Sequence, residues 1–165
     1  VGEVVYLDII NRAERYVHIM TPYLIIDAEM TQALTTAAKR GVDVRLILPH
    51  IPDKKTAFAL AHTHYRELLA GVRIFEFKPG FVHAKVFVSD DKKAVVGTIN
   101  LDYRSLYLHF ECAAYLLGVP AVARIEEDFR STLKSCVQIT EEELKKDKLS
   151  RRLLGYLLKV FAPLM

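Results

Sequence analysis

The sequence predicts an α/β domain in which a mixed β-sheet is flanked by helices on both faces, and three features carry that expectation. In the first half, strand-like runs alternate with helix-like segments, the rhythm of an α/β fold. The run VDVRLILP is rich in valine, leucine and isoleucine, which suits a strand covered on both sides. From residue 81 the rhythm changes to consecutive strands, which gives the sheet an antiparallel portion.

Residues 3–15 read as an opening helix, and YVHIM (16–20) alternates into a strand that stops at Thr21-Pro22. Asp27 supplies the carboxylate of a helix N-cap ahead of the alanine-rich TQALTTAAKR, and Gly41 ends that helix. VDVRLILP is the next strand, a helix over roughly 54–70 ends at Gly71, and VRIFEF is a further strand. HAKVFVS (83–89), KAVVGTIN (93–100) and FECAAYLL (110–117) then read as successive strands, the first two joined by the charged turn DDKK. Helices at about 120–136 and 141–162 close the chain. No internal repeat or linker interrupts it, so the 165 residues are expected to form a single domain.

Composition sets bounds without choosing a function. At 52% hydrophobic the chain can bury a sizeable core, and a formal net charge of +3 favours anionic partners only mildly. Cys112, inside the apolar CAAYLL, and Cys136, near a helix end, are expected to be buried and inert thiols of a reduced intracellular chain. The longest apolar run, CAAYLLGVPAVA, is too short to span a bilayer and is broken by Gly118 and Pro120. The chain opens on Val1-Gly2-Glu3 in what reads as mid-helix, without an initiator methionine or a signal sequence, so it is expected to be a fragment of something longer.

One stretch carries chemistry: HAKVFVSDDKKAVVGTIN, residues 83–100. On a strand, residues two apart share a face, so His83 and Lys85 are expected to enter one pocket while Ala84 turns into packing. A buried lysine calls for a carboxylate or an anionic ligand. Thr98 and Asn100 repeat the spacing on the neighbouring strand and offer a hydroxyl and an amide NH2. Gly97 is expected to leave room for the close approach of a tetrahedral anion such as phosphate. The same HxK pattern also fits a solvated strand end, so spacing alone does not choose between them. Metal binding is set aside, because His83 lacks a second ligand at a recognised spacing and His62-x-His64 on a helix points its rings apart.

The pattern HxKx4Dx6G[ST]xN, met here by His83, Lys85, Asp90, Gly97, Thr98 and Asn100, resembles the HKD motif of the phospholipase D superfamily. TPYLIID, AAKRGVDVRLILP, YRELLAGVRIFEF with KPGFVHAK, and GTINLDYRSLYLHFE look more narrowly like the second HKD half of a bacterial cardiolipin synthase. The resemblance spans nearly the whole chain and implies a phospholipase D-like fold.

It also implies a metal-free and cofactor-free mechanism. One histidine attacks the phosphodiester phosphorus to give phosphohistidine, a second protonates the leaving alcohol, and a new alcohol or water releases the phosphatidyl group. His83 would be one of that pair, with Glu111 in the family position for the carboxylate that fixes its tautomer. Lys85, Thr98 and Asn100 would hold the phosphoryl oxygens. Asp90 belongs to the motif, yet its odd offset from Lys85 turns it away from the pocket and gives it a structural role at the turn. Tyr23 is a candidate for lining the lipid or phosphate pocket, and it fits a half-buried aromatic at a strand end equally well. Asp102 and Arg104 are read as an ion pair fixing the loop after Asn100, with surface solvation as the alternative. His109 departs from the asparagine that such synthases carry before the glutamate.

The mechanism needs two HKD motifs, and only His83 has the pattern, since His18, His50, His62, His64 and His109 lack it. Either two copies pair symmetrically or the other half lies upstream in a longer polypeptide, which the synthase-like sequence favours. The leading function is a phosphatidyltransferase making cardiolipin from phosphatidylglycerol at the cytoplasmic face of a bacterial inner membrane. A nuclease or phospholipase hydrolase on the same scaffold, or an inactive lipid-binding half, are the alternatives. Nucleic acid is disfavoured because no dense Lys/Arg stripe lies near the motif. In RRLLGYLLKVFAPLM, Lys148, Arg152, Tyr156 and Lys159 fall on one helix face, with Leu153, Leu154, Leu157, Leu158, Phe161 and Leu164 over the other. Such a helix suits either the surface of an anionic membrane or packing on its own domain.

Overall fold

The computed structural model describes residues 1–164. Helix α1 (Gly2–Asn11) precedes β1 (Tyr16–Met20), the two-residue β2 (Leu24–Ile25) and α2 (Ala28–Lys39). β3 (Asp43–Pro49), α3 (Lys55–Leu68) and β4 (Arg73–Phe77) complete the alternating half. β5 (Val86–Ser89), β6 (Lys93–Gly97), β7 (Leu101–Asp102) and β8 (Ala113–Leu117) follow, with a π-helical turn at Arg104–Leu108. α4 (Ala121–Leu133), β9 (Cys136–Ile139), α5 (Glu141–Lys145), α6 (Leu149–Lys159) and a 3-10 turn at Ala162–Leu164 close the fold.

Seven strands form one mixed sheet in the order β8-β6-β5-β1-β3-β4-β9. β1, β3 and β4 are parallel, while β5, β6, β8 and β9 join antiparallel. Every residue of β1 is buried, as a central strand covered on both faces requires. Val17, Ile19, Leu46 and Phe87 face a core shared with Tyr6, Ile9 and Ile10 of α1 and with α2 and α3. Met20, Ile47 and Val86 face the other side, against Phe129 of α4. Helices therefore cover both faces, and α5 and α6 form an outer layer on α3.

α4 is fixed by a polar contact as well as by apolar packing. The ring of His18 stacks between Tyr16 and Phe129, and its Nδ1 lies 2.8 Å from the Glu126 carboxylate. Burial works to raise the Glu126 pKa, but His18 and Arg130 outweigh it and hold the carboxyl below its ordinary range. Asp27 caps α2 as its side chain predicts, accepting the Met30 N–H at 2.8 Å.

The differences from the sequence reading lie at element ends. The closing helix breaks at 146–148 into α5 and α6, where the Asp147 carboxylate is held by His62 at 2.7 Å and by Arg151 at 2.9 Å. The expected helix over 120–136 ends at Leu133, and the following residues become β9 at the sheet edge beside β4. β2 pairs in parallel with β7, a two-residue bridge between distant segments. Cys112 is exposed rather than buried, because the strand it precedes is a sheet edge with its outer side open, and Cys136 is half-buried; both are free thiols. Among the described residues no helix is long and apolar enough to cross a membrane.

Candidate active site

The antiparallel register brings the chemical residues together. β5 runs antiparallel to β1, so its first residue, Val86, pairs with Met20 at the end of β1. β6 runs antiparallel to β5 and ends at Gly97 beside that same point. The segments before β5 and after β6 therefore meet at the carboxyl ends of the parallel strands, where open α/β sheets place their sites. His83, Lys85, Gly97, Thr98 and Asn100 line one cavity there, of about 470 Å³.

His83 and Lys85 do not owe their meeting to strand alternation, because regular strand begins only at Val86. The Gly97 N–H donates to the Lys85 carbonyl at 3.2 Å and ties the two segments directly. Lys85 is buried, its Nζ donating to the His83 carbonyl at 2.7 Å and lying 2.9 Å from His83 Nε2. A lysine ammonium only donates, so in this arrangement Nε2 is the accepting, unprotonated nitrogen. Burial lowers the Lys85 pKa, partly opposed by the charges of Glu111 and Asp102. Among the described residues no carboxylate pairs with Lys85, which leaves an anionic ligand as the partner that burial calls for.

The other residues divide. The Thr98 hydroxyl donates to Glu111, so here Glu111 anchors Thr98 and does not hold the His83 ring as expected. Asn100 Nδ2 donates to Ser105 Oγ at 3.1 Å, while its buried Oδ1 has no partner among the described residues. Ser105, which sequence reasoning missed, is itself placed by its N–H on Asp102 Oδ1 at 2.8 Å. Asp102 and Arg104 form no ion pair: Arg104 Nε turns to His109 Nε2 at 3.2 Å. Gly97 does not make room for a ligand, since a Cβ there would overlap Cys112 and Ala113; its bareness lets the chain entering β8 pack against β6.

Asp90 and Tyr23 lie outside the cavity. Asp90 and Asp91 take positive φ in the β5–β6 turn, and the Asp90 carboxylate accepts the N–H groups of Glu14, Arg15 and Tyr16, each at 2.9 Å. That is the structural role its offset implied. Tyr23 donates to Asp53 at 2.5 Å, and burial followed by that bond pushes its pKa up to about 12. Its ring reaches the site indirectly, 6.5 Å from Phe81, which is 5.9 Å from the His83 ring.

A family model described as "Cardiolipin synthase, PLD-like domain" matches residues 6–133. The chain belongs to this PLD-like family. An uncharacterized protein of Streptococcus mutans is 59% identical over 100% of the chain, which covers 36% of that protein. Cardiolipin synthase 2 of Bacillus anthracis is 37% identical over 97% of the chain, which covers 31% of it. The chain thus spans about a third of the length of these relatives. The fold is likewise shared with solved structures. A phospholipase D family member, Nuc of Salmonella typhimurium, superposes with a TM-score of 0.75 at 18% identity, covering 84% of this chain and 91% of Nuc. A phosphatidylserine synthase of Haemophilus influenzae Rd KW20 gives 0.72 at 16% identity, over 99% of this PLD-like chain and 42% of the synthase.

Proposed function

We propose that this chain is a single PLD-like domain carrying one half of a two-motif phosphatidyltransferase site that makes cardiolipin from phosphatidylglycerol. The observation that carries the proposal is the shared cavity of His83, Lys85, Thr98 and Asn100, with His83 Nε2 2.9 Å from the Nζ of a buried lysine that has no carboxylate partner among the described residues. His83 attacks phosphorus or protonates the leaving alcohol, with a facing histidine taking the other task. When a phosphoryl group enters, its oxygens replace His83 as partners of Lys85 Nζ. The Asn100 amide holds the same group as charge develops on it, and the Thr98 hydroxyl joins it by turning its one hydrogen from Glu111 to a phosphoryl oxygen. Glu111 positions Thr98, Asp90 holds the turn, and Tyr23 lines the approach behind Phe81.

The facing histidine comes from a second HKD half upstream in a longer chain or from a symmetric copy. The cavity mouth suits such a partner, with Val96 exposed in its lining and the exposed Phe81 beside the His83 ring. α6 would hold the site at the cytoplasmic face of a bacterial inner membrane. It packs on α3 through Gly155 and leaves Leu149, Leu153, Leu157 and Val160 outward, while Arg151 turns inward to Asp147 and Phe58 and Lys159 pairs with Glu67 of α3.

Labelled phosphatidylglycerol and plasmid DNA, offered to the chain and to its two-motif parent, test the assignment. Cardiolipin formation by the parent, abolished by His83→Ala with the thermal unfolding midpoint unchanged, is the expected result. DNA cleavage without lipid turnover, or full lipid turnover in His83→Ala, overturns it.

A further inference from the structure

A second and larger cavity, of about 1080 Å³, shares no lining residue with the one at His83. It opens between α3, the ends of β3 and β4, β9, and the α5–α6 pair. On its wall the Glu76 carboxylate, only 2% exposed, takes His50 Nδ1 at 2.8 Å and the Tyr65 hydroxyl at 3.3 Å. His62 stands between Glu76, 3.3 Å from its Nε2, and Asp147, 2.7 Å from its Nδ1. The buried acids are therefore already partnered; Glu76, His62 and Asp147 line the cavity too, but His50 is the network's half-exposed member there. Its Nδ1 is tied to Glu76, its side chain is half-exposed, and its Nε2 has no partner among the described residues.

The charges around the mouth are not balanced. Lys146 pairs with Glu143 and Arg151 with Asp147, whereas Lys55, Lys78 and Lys148 line the cavity with no carboxylate partner among the described residues. The Glu76 carboxylate holds the His50 ring in one orientation through Nδ1, which leaves the Nε2 edge free to meet a ligand. Three ammonium groups suit the several acceptor oxygens of a phosphate, and a phosphate hydroxyl can donate to the Nε2 lone pair. Phe58 and Leu154 add an apolar flank, and Leu154 belongs to α6, with its outward leucines.

We propose that this cavity is a second phosphate-binding site, in which His50 Nε2, Lys55, Lys78 and Lys148 hold a phosphate-bearing anion. No bond is made or broken there. The site is independent of any chemistry at His83, and the experiment keeps the two apart. In calorimetric titration with inorganic phosphate, a His83→Ala/Lys85→Ala protein should keep one binding event. Adding Lys55→Ala/Lys78→Ala, two exposed positions without a role in folding, should weaken it about tenfold or more, and His50→Gln should weaken it again. Loss of all binding in the His83→Ala/Lys85→Ala protein, or binding indifferent to the lysine changes, overturns the site. Vesicles distinguish the source of the phosphate. If Lys55→Ala/Lys78→Ala also lowers binding to phosphatidylglycerol vesicles but not to phosphatidylcholine vesicles, the site takes a lipid headgroup. If only the titration changes, the ligand is a free phosphate compound.

Discussion

At the residue scale, Asp90 and Lys85 show how burial and partners set a charge. Burial works to raise the Asp90 pKa, but three backbone N–H groups and the charge of Arg15 outweigh it, so the carboxyl titrates below its ordinary value. A depressed folded-state pKa stabilises the fold above the unfolded value, near 4, and that contribution is lost as pH falls through the folded value. Asp90→Asn should therefore cost about 2 kcal/mol at pH 7 and progressively less towards pH 3, as read from urea midpoints of both proteins. A gap that stays constant across that range would contradict the assignment. Lys85 is the opposite case, a cation whose pKa burial lowers. Lys85→Met keeps the stem and removes the charge, so turnover in a two-motif parent should fall by at least a hundredfold, with stability unchanged or raised. His83, Lys85 and Asn100 were expected in one pocket and do line one cavity, although loop geometry and not strand alternation brings them there. The true partners of Glu111 and Asn100 were not, because a side-chain hydrogen bond depends on loop geometry that spacing does not encode.

At the scale of elements, α6 separates pattern from packing. The sequence shows an amphipathic helix, and its apolar face would ordinarily be the buried one. The structure buries Gly155 instead, whose Cβ position lies 2.5 Å from the Ala59 carbonyl oxygen and 2.8 Å from Thr63 Cγ2. Gly155→Val should overpack this contact and destabilise the chain by about 1–3 kcal/mol, measurable as a lowered thermal midpoint. The outward leucines predict a different phenotype: Leu153→Ser/Leu157→Ser should fold normally and lose flotation with phosphatidylglycerol liposomes. Equal flotation of both proteins would remove α6 as a membrane contact. The side chain of Leu164 and all of Met165, which the sequence reading counted with this helix, lie outside the described residues. β9 was missed for a related reason. Its four residues carry no helix-breaking signal after Leu133, and only the free edge of β4 makes them a strand.

At the scale of the whole molecule, a one-motif domain with an exposed apolar rim around its cavity is expected to self-associate at high concentration through that rim. Phe81→Glu should abolish the association seen in solution scattering, and a chain that stays monomeric at every concentration would leave the upstream half as the required partner. What the sequence by itself determined was the fold class, the order of the long strands and helices, and the gathering of the HxK and GTxN residues around one cavity. Those follow from local periodicity and from residue chemistry at fixed spacing, which any folded arrangement must respect. Only the tertiary structure decided that Gly97 serves the approach of the chain entering β8, that Asp90 holds the loop at 14–16, that α6 turns its leucines outward and that His50 faces a second cavity. Each of these depends on which distant segment comes to lie alongside, a property of the packed sheet and its layers that no run of neighbouring residues contains.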